Sequence, residues 1–103
     1  MKRVYECDLS KIAQLTKILE AEKFAPDSFE RIGYKLREGS SLMEDRSKIY
    51  IYISSSEENV KKADARMKEI ANAISTEKEE KIIYRIVSED ENAESGFGSL
   101  FGN

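Results

Sequence analysis

Lys48-Ile49-Tyr50-Ile51-Tyr52-Ile53-Ser54 alternates isoleucine with tyrosine without a break, and its reading decides the fold. A period of two is that of a strand with two different faces. Ile49, Ile51 and Ile53 should therefore point into a core, while Tyr50 and Tyr52 lie on the opposite side. There they must be covered or meet water. What meets the tyrosines is the functional question.

Working backwards from this strand, residues 38–47 form a long hairpin loop with Leu42 and Met43 at its tip, either folded back on the core or exposed to a partner. From Phe29 the period is again two, with Ile32, Tyr34 and Leu36 on one face and Arg31, Gly33, Lys35 and Arg37 on the other. That is a strand with a basic face. Earlier still, Ile12, Leu15, Ile18 and Leu19 fall on one helical stripe that Asp8 or Ser10 can cap. Pro26 should stop this helix near Phe24. Lys2 to Cys7 reads as a first strand whose phase stays open, since either Val4 or the pair Tyr5 and Cys7 can face the core.

Working forwards, Ser55 and Glu58 have the spacing of a capping box. The helix they open carries Val60, Ala63, Met67, Ile70, Ala71 and Ile74 on its buried stripe. A polar connection leads to Lys81-Ile82-Ile83-Tyr84-Arg85-Ile86-Val87, which reads as a last, largely buried strand. The order strand, helix, strand, strand, helix, strand resembles the ferredoxin-like βαββαβ arrangement. The resemblance implies an α+β two-layer sandwich, a four-stranded antiparallel sheet with two helices on one face, and the Ile/Tyr strand at its centre. The other sheet face is expected to be open. Residues 1–88 make this domain, and residues 89–103, acidic and then rich in glycine and phenylalanine, are expected to be a disordered tail.

Composition narrows the function classes. The net charge of −3 gives no broad positive field to draw the protein onto nucleic acid or anionic membrane. Histidine is absent, which removes the commonest general base and most zinc geometries, and the single cysteine, Cys7, has no partner for a disulfide or a metal site. The expectation is a non-enzymatic protein without metal or cofactor. No apolar run approaches the length of a membrane span and the start lacks a signal peptide, so a cytoplasmic location is expected. Richness in Lys, Glu and Ile suits a thermophilic microbe, an archaeal one included.

Three readings of the open face and tail follow. Tyr50 and Tyr52, flanked by Arg31, Lys35, Arg37 and Arg85, would make an amphipathic surface for a protein partner or a second copy. Ferredoxin-like domains often bury this face in homodimers or larger homo-oligomers, and small-molecule-sensing regulatory domains share the element order. The aromatic pair on the third strand also resembles that of an RNA recognition motif, which implies base stacking on Tyr50 and Tyr52. Neither glycine of that motif is present in Lys48-Ile49-Tyr50-Ile51-Tyr52 and the net charge is acidic, so single-stranded RNA is the runner-up partner. Finally, the segment from Asp90 to Gly102 is similar to the C-terminal tail of acidic ribosomal stalk proteins. That resemblance implies a hook whose Phe97, Leu100 and Phe101 insert into an apolar groove of a partner.

Overall fold

The computed structural model describes residues 1–21, 24–26 and 28–100, with side chains described as far as Glu89. The Ile/Tyr run is strand β3 (Lys48–Ser54), one of four strands with β1 (Lys2–Asp8), β2 (Tyr34–Glu38) and β4 (Ala71–Ala73). They form one antiparallel sheet in the order β2-β3-β1-β4, the order of the ferredoxin-like arrangement, with β3 and β1 central. Helices α1 (Ile12–Glu20) and α3 (Glu57–Met67) supply the two crossovers, and a single turn α2 (Phe29–Ile32) precedes β2. A further helix, α4 (Thr76–Leu100), follows β4.

Alternation sorts the strand residues into two cores. Ile49, Ile51 and Ile53 join Tyr5 and Cys7 against Leu15 and Leu19 of α1, Phe29 of α2, and Val60, Ala63 and Met67 of α3. On the reverse face Tyr50 and Tyr52 pack with Val4, Leu42, Ile82 and Ile86, so α4 covers the face expected to be open. Both phases of the first strand are therefore correct at once. A central strand covered on two sides has no wet face to break its apolar pattern.

Four local expectations are corrected. The stretch 81–87 is helix instead of strand: Ile82 and Ile86 are one helical turn apart and buried, with Tyr84 74% exposed on the opposite side. The last strand is Ala71–Ala73, which the helical stripe of α3 had absorbed, because apolar residues at 67, 70, 71 and 74 continue that spacing beyond the real end at Met67. The basic-faced strand starts at Tyr34, not Phe29. Ser28 caps α2 by accepting from the Arg31 amide at 3.2 Å, and Gly33, at φ +87°, turns the chain into β2. The cap of α3 is Ser56, accepting from the Asn59 amide at 3.2 Å, while Glu58 pairs with Lys62 instead of reaching back. At the hairpin tip the alternatives divide between neighbours, Leu42 being buried and Met43 83% exposed.

Free sheet edges invite unwanted pairing, and both are blunted here. Beyond Ala73 the β1 edge has no neighbour, and the Val4 amide donates instead to Glu79 Oε2 at 3.1 Å. On β2, alternation of ladder bonds turns the carbonyls of Leu36 and Glu38 outward. They accept from Arg37 Nη1 at 2.9 Å and Ser41 Oγ at 2.8 Å.

Candidate functional site

Two features of the α4 side of the sheet are candidates for function: a half-buried polar cluster under the helix and a groove beside it. The sequence around residue 76 favours a helix start. Ser75 Oγ accepts from the Lys78 amide at 3.3 Å, and Glu77 and Glu79 place negative charge in the first turn. This start aims Lys78 down at the sheet, where its ammonium lies 2.7 Å from Glu6 and 5.5 Å above the Tyr50 ring. The Tyr50 hydroxyl donates to the same Glu6 carboxylate at 2.8 Å. Glu44 from the hairpin loop sits 3.9 Å from Lys78 and 3.0 Å from Arg85, which lies two turns further along the helix and also donates to the Leu42 carbonyl.

The electrostatics of the cluster point to holding, not chemistry. Burial alone would raise Glu6, but hydrogen bonds from Lys78 and Tyr50 outweigh it and keep its carboxyl below the usual range. The bond to Glu6 pushes Lys78 up, and burial together with that same carboxylate pushes Tyr50 up to about 12. Each group is thus fixed in its ordinary charge state at neutral pH, whereas a general acid or base works best when it titrates near the working pH. Two carboxylates face two cations, and the set latches α4 to the sheet.

The expected sheet-face residues are dispersed by this arrangement. Tyr50 is fully buried and Tyr52 is 7% exposed, so neither ring offers a face to a partner. Arg37 reaches Glu89 of α4 at 3.4 Å, and Arg85 lies on α4 within the latch, not on a strand. Arg31 is exposed on α2, off the sheet. Lys35 stays on β2, on the Tyr52 side of the sheet. The tail anchors Phe97, Leu100 and Phe101, and the stretch 89–103 after its first residue, lie outside the residues whose side chains are described.

Beside α4 the same face is left uncovered toward the ends of β1, β2 and β3. One hollow, of about 360 Å³, is lined by Lys2 of β1 and by Glu80, Ile83, Tyr84 and Val87 of α4. Another, of about 290 Å³, is lined by Ile32, Tyr34, Lys35, Tyr52 and Ser54. Lys2 and Ser54 are direct partners across β1 and β3, so the two hollows adjoin and make one groove along the flank of the helix. Its walls are mostly apolar; Lys2 shares one half with Glu80, and Lys35 stands in the other. No family model, curated protein or solved structure matches the chain. The groove must be read from its own chemistry.

Sequence reasoning missed Lys2, Ile83 and Val87 as groove residues and Glu6, Glu44 and Lys78 as the latch. The available signal was the run Thr76-Glu77-Lys78-Glu79-Glu80-Lys81, dense in helix formers and free of glycine and proline, leading straight into Ile82 and Ile86. Among the described residues there is no cluster of groups that could hold a metal ion and no helix long and apolar enough to cross a membrane.

Proposed function

We propose that the protein is a non-enzymatic, cytoplasmic interaction module that holds an extended, acidic segment of a protein in the groove beside α4. The observation that carries this reading is the adjoining pair of hollows, with apolar lining from Ile83 and Val87 in one and Ile32 in the other, Lys2 beside Glu80 in the first and Lys35 in the second. Apolar pockets that bind alternate side chains, with a few charged groups to fix orientation, are how peptides are recognised in grooves. The polar cluster under α4 supports a non-catalytic reading because its members serve as one another's partners. Single-stranded RNA is less favoured. The rings expected to stack bases are beneath α4, Arg37 and Arg85 face carboxylates, and the net charge is −3.

Phage display of random peptides on the full chain tests the reading. Selection should enrich peptides that combine Asp or Glu with large apolar residues, and Lys2→Glu plus Lys35→Glu should abolish their binding without lowering the melting temperature. No enrichment, or binding that survives both substitutions, refutes it. Salt-sensitive, saturable binding of RNA oligomers lost in the same variant would support the runner-up instead.

A further inference from the structure

α4 lies outside the βαββαβ unit, which is complete at Ala73. None of the residues of the larger core, between the sheet and α1 and α3, comes from this helix. Its fully buried side chains, Ile82 and Ile86, serve only the smaller core on the reverse face. We propose that α4 is a releasable cover, which leaves the sheet as one unit while the sandwich stays folded, and that the face beneath then takes a basic amphipathic helix of a protein partner.

The way the cover is attached supports release. Lys78 and Glu79, Ile82, Arg85 and Ile86, and Glu89 recur turn by turn on one stripe of the helix. Apart from the isoleucines, these residues hold on through charge. Lys78 pairs with Glu6 at 2.7 Å, Glu79 accepts from the Val4 amide at 3.1 Å, Arg85 pairs with Glu44 at 3.0 Å, and Glu89 pairs with Arg37 at 3.4 Å. The side chains of the three ion pairs keep between 17% and 44% of their surface exposed, so water and salt reach them. An element joined in this way opens below the free energy of the whole domain, because the larger core is untouched by its departure.

The chemistry beneath α4 names the occupant. Val4, Leu42, Tyr50 and Tyr52 make an apolar floor, and Glu6 and Glu44 stand beside it. The ion pairs of these two carboxylates run to Lys78 and Arg85 of α4. With α4 away, the floor and both carboxylates match a helix that carries two branched apolar residues four apart, a cation four residues before the first and another three residues after it. Lys78, Ile82, Arg85 and Ile86 have this pattern, so α4 sits on the face as the chain's own copy of the ligand. Opening also carries Ile83 and Val87 away from the hollow they line, so a helix on the sheet and a peptide in the groove exclude each other.

Amide hydrogen exchange of the full-length protein, read residue by residue, tests release. Amides of residues 82–89 should exchange together, about tenfold or more faster than the slowest amides of β1 and β3, and only the α4 set should speed up with added sodium chloride. A labelled peptide of residues 76–89 probes the face. Lys78→Glu plus Arg85→Glu turns the cover against Glu6 and Glu44, and this variant should bind the peptide about tenfold or more tighter than wild type, with β1 and β3 amides still protected. Adding Glu6→Lys and Glu44→Lys reverses both sides, which should close the cover again and abolish peptide binding. Exchange of α4 at the rate of β1 and β3 overturns release, as does a double variant whose β1 and β3 amides lose protection, since the helix is then integral to the domain. A cover that opens over a face to which the peptide binds in neither form, or binding that survives the four substitutions, overturns the occupant.

Discussion

Alanine substitution along α4 separates helix from strand by one residue. A strand over 81–87 would put Ile82, Tyr84 and Ile86 on a single face; a helix puts Ile82 and Ile86 together and Tyr84 opposite. Both isoleucines are fully buried between Val4, Tyr50, Tyr52 and Leu42, whereas Tyr84 is in large part exposed. Ile86→Ala removes three buried carbons, worth about 2.4 kcal/mol of transfer free energy, and the cavity left behind raises the cost to about 3–4 kcal/mol. In a domain of this size that lowers the melting temperature by about 12 °C or more. Ile82→Ala should behave alike, and Tyr84→Ala should stay within about 0.5 kcal/mol of wild type. Urea or thermal denaturation followed by circular dichroism gives all three values. A Tyr84→Ala loss comparable to that of Ile86→Ala would refute the placement of α4.

The latch makes stability depend on pH at both ends. Glu6 is held below its ordinary value, so its contribution is complete above the normal carboxylate range and is lost as pH falls through its folded value. Lys78 and Tyr50 are raised, so theirs is complete below about pH 10 and is lost as pH rises, through about 12 for Tyr50. Melting temperature against pH should thus be flat between, and Glu6→Gln should reduce the acid-side fall. Glu79→Ala leaves the Val4 amide at the β1 edge without an acceptor, which should cost about 1 kcal/mol and speed exchange of that amide, while Glu79→Gln should retain most of the stability. At Gly39 an added Cβ would lie 1.8 Å from the Asp45 carbonyl oxygen, a contact only backbone movement relieves. Gly39→Ala should cost about 3 kcal/mol or more in denaturant titration.

The sheet was readable where period two is long and uninterrupted. Lys48–Ser54 announced both its strand and its central place, and the tyrosines on its reverse face correctly raised the matter of a cover. The cover was missed because Lys81–Val87 is as short and apolar as a buried strand, and over such a length the periodicity cannot separate strand from helix. Ala71–Ala73 was unreadable for a different reason. Ala-Asn-Ala has little strand preference of its own, and it is a strand because Cys7, Glu6 and Tyr5 of β1 pair with it. Misplacing that one strand moved Arg85 onto the sheet and left the tyrosines exposed. The groove could not be found from sequence, since Lys2, Ser54 and Val87 meet only once α4 is laid across the face.

Nuclear Overhauser measurements on the full-length protein with labelled isoleucine methyls and tyrosine rings test the cover of the sheet directly. Cross-peaks are expected from the Ile82 and Ile86 methyls to the ring protons of Tyr50 and Tyr52, with Tyr84 ring protons giving none to either tyrosine. Tyr50 and Tyr52 rings without contacts to these methyls, or contacts that run through Tyr84, would contradict a helix that covers the face and leaves the groove beside it.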